Sequence, residues 1–324
     1  MFFGNFIRVA MLLAALPATG EVPPAARQQF EAGRYAEAVQ TLQAALGQDS
    51  KNAALHHWLA RSYFEMRDFD KAVTHAERAA ALDPQNSEIR QWLGRAYGRK
   101  AERAGWFSGF SLARKTRSEF EEAVRLNPRN FSAQRDLIEF YLEAPGVVGG
   151  GKDKARRQAE AVAALDAAEG HVAMATYWER EKKHDRAAAE CQKVLELKPA
   201  RVEPYLEIAA YYTRREDPGR IQEAVRVAAA VAPKDPRLNY YRAVARVVAG
   251  MELEEAERLL KAYLAGVPDR SDYPSHPAAH EWLGRLYERQ GKRDEAAAEF
   301  RAGLKIQPNR KSAREALEKL GQRP

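Results

Sequence analysis

The sequence holds one cysteine, Cys191, in 324 residues. That excludes an intramolecular disulfide and any cysteine-based metal site. Beyond the first twenty residues, no apolar run approaches the ~20 residues needed to cross a bilayer as a helix. There is no Gly-x-Ser-x-Gly nucleophile turn, and no pair of carboxylates stands out from the charged background. His280-Glu281 is not the start of a zinc protease motif, because Gly284 occupies the place of the second histidine. No nucleic-acid-binding motif occurs. These absences give the expectation of a chain that is not an enzyme, with no cofactor, no metal and no nucleic-acid partner. What is present is helix-forming matter. Hydrophobic residues make up 45% and charged residues 30%, and alanine, which loses no side-chain entropy in a helix, is abundant. Glycine and proline cluster in short stretches, the pattern of helices with punctuated turns.

The first twenty residues differ from the rest. Met1–Gly20 places one charge, Arg8, before the short apolar run Val9–Leu16, followed by Pro17 and small residues. This is the order of a secretory signal, with cleavage expected after Gly20 and a periplasmic or secreted product. An uncleaved leader retained as a membrane anchor is the alternative. Cys191 falls on the apolar face of a predicted helix and reads as a small buried hydrophobe.

The remainder is periodic. Ala53–Asn86 spans 34 residues: Leu59, Ala60 and Tyr63 share one helical face, Phe69, Ala72, Ala76 and Ala79 mark a second helix, and Asp83-Pro84 ends it. The small residues Ala72 and Ala76 read as close helix contacts. The same frame recurs in Trp282, Leu283, Gly284, Tyr287, Gly291, Ala296, Phe300 and Pro308. It recurs again in Trp92, Leu93, Gly94, Tyr97, Phe120, Ala123 and Pro128. Partial copies follow at Leu137/Tyr141, Met174/Trp178, Ile208/Tyr212 and Gly250/Ala256, and one precedes at Gly33/Tyr35. This pattern resembles the tetratricopeptide repeat. The resemblance implies an all-α, right-handed superhelical solenoid of about eight helix pairs over residues 21–310, with a C-terminal capping helix and tail over 311–324. It also implies a scaffold for protein–protein interaction, since each pair buries its apolar face only against its neighbours.

Four stretches exceed the repeat. Ala101–Phe110 falls inside the third unit, Pro145–Gly151 at the same point of the fourth, Glu216–Arg220 at that of the sixth, and Asp269–His276 between the seventh and eighth, on the other edge of the stack. With the segment between the first two, this pair resembles a subgroup of secreted bacterial repeat proteins, a likeness that implies no activity. Gly146–Lys152 has the spacing of a phosphate-binding loop. Asp153 stands where that loop needs a hydroxyl, and a helix rather than a strand precedes it. A turn built on Gly149, Gly150, Gly151 and Lys152 could still attract an anion through free backbone N–H groups. An anion- or nucleotide-binding regulator is therefore the alternative function.

The net charge is +7, and Ser87–Asn130 alone has ten Lys/Arg against five Asp/Glu. In the repeat frame, the groove-lining positions of the first helices include Arg61, then Arg95 and Arg99, then Arg135. These four are candidate partner-binding residues for a protein or peptide with acidic groups. Trp106, Phe107 and Phe110 lie beside them, either packed under the glycine-rich loop or facing a partner or a membrane surface. His56, His171 and His280 sit at the fourth position of their repeats, where a half-buried packing residue is expected rather than a metal ligand.

Overall fold

The computed structural model describes residues 21–322; Met1–Gly20, where a leader is expected, lies outside them. Every regular element among the described residues is helical. Eight antiparallel pairs follow one another: α1 (Pro24–Glu31) with α2 (Tyr35–Leu46), α3 (Ala53–Glu65) with α4 (Phe69–Leu82), and α5 (Ser87–Ala101) with α6 (Trp106–Leu126). Then come α7 (Phe131–Glu143) with α8 (Lys152–Leu165), α9 (Ala167–Arg180) with α10 (His184–Leu197), and α11 (Glu203–Arg214) with α12 (Pro218–Val231). The last are α13 (Arg237–Ala249) with α14 (Leu253–Gly266) and α15 (His276–Arg289) with α16 (Arg293–Ile306), closed by the cap α17 (Lys311–Lys319). The pairs stack as a right-handed solenoid, the architecture expected from the repeat frame.

Local chemistry sets the boundaries. Asn52, Asn86, Asn130, Asp166 and Ser275 accept backbone N–H bonds at the starts of α3, α5, α7, α9 and α15, satisfying donors that have no partner inside the helix. In five of the pairs the turn carries one left-handed residue. Gly33 (φ 73°) and Gly291 (φ 74°) supply it in the first and eighth units, whereas Arg67, Lys182 and Glu216 adopt it in the second, fifth and sixth.

The core runs between layers. Ala72 and Ala76 are fully buried, as the close-contact reading required. Cys191 is buried too, and burial pushes its thiol up to about 12. Two polar contacts repeat with the frame. A histidine of the first helix meets a residue nineteen positions on in the second: His56 with His75 at 3.0 Å, His171 with Glu190 at 2.6 Å, His280 with Glu299 at 2.7 Å. A tyrosine donates back to the preceding unit: Tyr97 to Glu77 and Tyr141 to Glu121. These histidines are pairing residues of the stack, and no metal-holding cluster occurs among the described residues.

Two of the four excess stretches behave differently from the sequence reading. Ala101–Phe110 is not a loop inserted between helices. Ala101 ends α5, Trp106–Phe110 open α6, and only residues 102–105 connect them. Asp269–His276 is not confined to the outer edge of the stack. Its first half crosses the concave side and reaches the N-terminal units. Tyr35 Oη donates to the Asp269 carbonyl (3.0 Å), Arg270 reaches Glu31 (2.8 Å), and Glu65 accepts both Ser271 N–H (3.0 Å) and Ser271 Oγ–H (2.7 Å). Arg67 also donates to the Ile306 carbonyl (2.9 Å). The array therefore completes close to one superhelical turn, with its first two units facing its last two.

Candidate functional site

The first helices line the concave surface, and the four sequence-selected arginines fall there. Each is engaged. Arg61 lies in a cage of rings, its guanidinium 5.1 Å from Phe30, 4.6 Å from Trp58 and 4.9 Å from Trp92, and it reaches Glu88 at 3.3 Å. Burial lowers its pKa, with Glu88 opposing. Arg95 grips Asp136 with two bonds, 2.6 and 3.1 Å, donates to Ser132 (2.9 Å) and stacks on Trp92 (5.0 Å). Arg99 pairs with Glu102 at 2.6 Å, and Arg135 with the buried Glu169 at 2.9 Å.

The pairs form a ladder from one unit to the next. Arg61 bonds Glu88, Arg95 bonds Asp136, Arg135 bonds Glu169, and further along Arg180 bonds Glu143 and Arg214 bonds Glu179. The arginines were legible at groove offsets, but their carboxylate partners were not. The ladder partners lie 27 to 41 residues away in the adjacent repeat, and a scan for local charge surplus does not see them. The strip is thus a set of oriented ion pairs. Such pairs fix the relative rotation of adjacent units more than they add net attraction, because desolvation offsets much of the Coulomb gain.

Sequence reading missed the segment that occupies this groove. Asp269–Tyr273 lies against it. Arg270 is wedged between Phe30 (5.6 Å) and Tyr273 (4.7 Å), with Arg237 on Tyr273 at 5.3 Å. Asp272 lines one cavity together with Arg61 and Arg95; against the cost of burial, Asp136 chiefly and Asp272 in addition hold the Arg95 pKa up. Three cavities flank the segment. One of about 650 Å³ is lined by Arg61, Gln91, Trp92, Arg95, Asn130 and Asp272. One of about 540 Å³ is lined by Arg135, Asp136, Glu139, Glu207, Arg237 and Tyr241. The third, about 530 Å³, runs between Glu65, Arg99 and Ile306. The available signal was length: Asp269–His276 has no repeat counterpart and carries both charge signs plus a tyrosine.

Glu139 is a second residue that the sequence did not single out. Crowding in the groove pushes its carboxyl up to about 7, helped by Asp136, Glu207 and Glu143 and opposed by Arg180. A raised carboxyl pKa means that the folded chain keeps a proton which the unfolded chain has released. Stability from this group is therefore present below the unfolded value of 4.5 and is lost as pH rises through about 7. Glu139→Gln should remove that loss. The difference in melting temperature, variant minus wild type, should grow between pH 5 and 8, modestly because the side chain is exposed. A difference constant with pH would show that Glu139 titrates normally.

The remaining sequence candidates separate into two groups. Trp106 and Phe107 are 75% and 89% exposed, so they do not pack under the glycine-rich loop; Phe110 is half-buried and stacks edge-on to Trp106 at 4.8 Å. In that loop, the N–H groups of Gly149, Gly150 and Gly151 donate to the carbonyls of Gly146, Pro145 and Tyr141, so these three are not free for an anion. Their glycines answer to space instead: a Cβ at Gly149 would meet Arg117 at 1.8 Å, and one at Gly150 the Ala144 carbonyl at 1.8 Å. Lys152 is exposed and pairs with Glu181 at 2.6 Å. No strand precedes the loop among the described residues.

Family models described as tetratricopeptide repeat match residues 29–95 and 252–311. No curated protein matches the chain. Among solved structures, yeast Tom70 superposes with a TM-score of 0.57 at 16% identity, covering 89% of this chain and 58% of that one. The Cut9 and Hcn1 hetero-tetramer of APC/C gives a TM-score of 0.50 at 14% identity, covering 91% of this chain and 54% of that one. The chain thus spans little more than half the length of either, and the likeness is one of fold. Matched repeats stand near both ends, and the same helix pairing runs unbroken between them. The chain is a tetratricopeptide repeat protein.

Proposed function

We propose that the chain is a non-catalytic scaffold which holds a partner protein by an extended segment with acidic groups in the concave groove, in the periplasm or outside the cell. Tetratricopeptide repeats support a role in protein–protein interaction. The observation that carries the finer reading is the chain's own Asp269–Tyr273. This segment lies in the groove through a main-chain carbonyl on Tyr35, a main-chain N–H on Glu65 and an aspartate facing Arg61 and Arg95. A partner strand with similar chemistry has the three flanking cavities to enter. The leader read from Met1–Gly20 supports export.

Site-specific photo-crosslinking tests the proposal. A benzoylphenylalanine at Glu139, in the groove, should trap a partner from the envelope fraction. The same probe at Arg258, an exposed site with only a local pair to Glu255, should not. Mass spectrometry of the same chain should give an N-terminus near Glu21. Equal trapping at both sites, or capture only from cytosol by a chain that retains Met1, would sink the groove and the location respectively.

A further inference from the structure

Helix α6 has 21 residues, whereas the second helices of the later units have 14. Seven extra residues add about 10 Å, two turns, to its N-terminal end. Those turns carry Trp106 and Phe107, the two most exposed large apolar side chains among the described residues. A helix tip has no need of two aromatics in water, and the energy of withdrawing them remains available. Phe110 braces Trp106 edge-on and holds it outward.

The second long turn extends the patch. Trp106, Phe110 and Arg114 are spaced by four and share one face of α6. Arg114 donates to the Val147 carbonyl (3.4 Å), and Arg117 to that of Val148 (3.3 Å). Val148 is buried as the anchor of the turn, while Val147 is 61% exposed beside the ridge. Trp106, Phe107 and Phe110 thus form an apolar tip, and Arg114 links it to the exposed Val147 of the other unit that departs from the repeat in the same place.

The flanking charge is basic. Arg99–Arg117 holds six basic residues and one acidic, Glu102; Arg99, Lys100, Lys115 and Arg117 are ion-paired. Arg103 and Arg114, the two nearest the aromatics in sequence, bond main-chain carbonyls of Arg67 and Val147, and neither is in an ion pair among the described residues. Their charge is uncompensated, unlike that of the groove arginines.

We propose that this edge is a membrane-contact site which seats Trp106, Phe107 and Val147 in the interfacial layer of a bilayer carrying anionic headgroups. Size decides for a membrane over a protein. A stable protein interface takes about 800 Å² from each partner, far more than two aromatic side chains and a valine present. A membrane accepts a small convex apolar tip when a basic flank supplies the second attraction. Indole and phenyl rings also suit the headgroup boundary.

The test uses the full chain and vesicles of phosphatidylcholine alone or with one third phosphatidylglycerol. Trp92 and Trp282 are buried and Trp58 and Trp178 half-buried, so emission of wild type minus Trp106→Phe reports Trp106. Mixed vesicles should shift that difference signal to the blue and protect it from iodide; neutral vesicles should leave it unchanged. Trp106→Ala/Phe107→Ala should weaken partitioning onto mixed vesicles by roughly tenfold or more, the scale of withdrawing two aromatics from water. Arg114→Glu should weaken it less and flatten its salt dependence. Both sites are exposed, so the fold should survive, as the melting curve checks. A difference signal that stays red and quenchable on mixed vesicles overturns the proposal, even if the chain sediments with them through its leader. So does a probe at Phe107 that crosslinks an envelope protein while Trp106 remains wet, which would make the edge a protein contact.

Discussion

Phe300→Ala should destabilise the eighth unit by about 3–5 kcal/mol, and the same change should reverse the sign of a second substitution. Phe300 is fully buried in α16, and its ring lies where a Cβ on Gly284 of α15 would be: 2.5, 2.7 and 2.8 Å to three ring carbons. Gly284→Ala alone should therefore cost about 1–3 kcal/mol by overpacking, outweighing the ~1 kcal/mol that alanine gains over glycine in a helix interior. Without the ring the clash is gone and the helix gain remains, so Gly284→Ala should be neutral or favourable in the Phe300→Ala chain. A double-mutant cycle by urea unfolding reads the coupling. Additive effects would mean that the ring and the glycine do not share that space. The loss should stay local, because units of a solenoid are stabilised mainly by nearest neighbours.

That pair also explains what the sequence made legible. The frame places a glycine on the first helix opposite an aromatic on the second, and Gly94 faces Phe120 at 2.6 Å in the third unit just as Gly284 faces Phe300 in the eighth. Such contacts lie within one repeat, so a one-dimensional pattern records them. Helix pairing, the cap and the burial of Ala76 and Cys191 followed from it. The histidine bonds were equally readable in hindsight, since all three span nineteen residues. What could not be read depends on superhelical closure. Arg270 meets Glu31 across 239 positions, and Ser271 meets Glu65 across 206. No repeat period predicts these contacts. They arise only because the small rotations between eight units bring the two ends of the array face to face. The same closure turned an expected open basic groove into one already holding a segment of the chain. Trp106 and Phe107 were legible as candidates, but the helix extension that presents them was not, for a different reason. A helix extension and a loop insert have the same length in sequence, and only the continuous hydrogen bonding of α6 separates them.

Closure gives the remaining large effect. Arg270→Ala should release Asp269–Tyr273 from the groove and separate the first two units from the last two. The side chain is 9% exposed, and its guanidinium bonds Glu31 and Asp272 and lies between the rings of Phe30 and Tyr273. Breaking a fully buried pair costs 3–5 kcal/mol. Glu31 and Asp272 are 59% and 44% exposed and can regain water, so a cost of about 1–3 kcal/mol is the reasonable scale. The loss concerns a contact between ends, not the stack between them, and α7–α12 should keep their protection. Hydrogen exchange at Ser271 N–H, now held by Glu65, is the sensitive readout and should accelerate at least tenfold. Small-angle scattering should show a larger radius of gyration. Arg67→Ala, which removes the bond to Ile306, should shift both measures the same way but less, since it loses one hydrogen bond and no aromatic sandwich. If the groove holds a partner as proposed, the opened chain should also crosslink more strongly through a probe at Glu139, because the competing segment is gone. A protected Ser271 amide with unchanged scattering in Arg270→Ala would mean that Pro268 against Gly33 and Tyr35 on Asp269 hold the ends together by themselves.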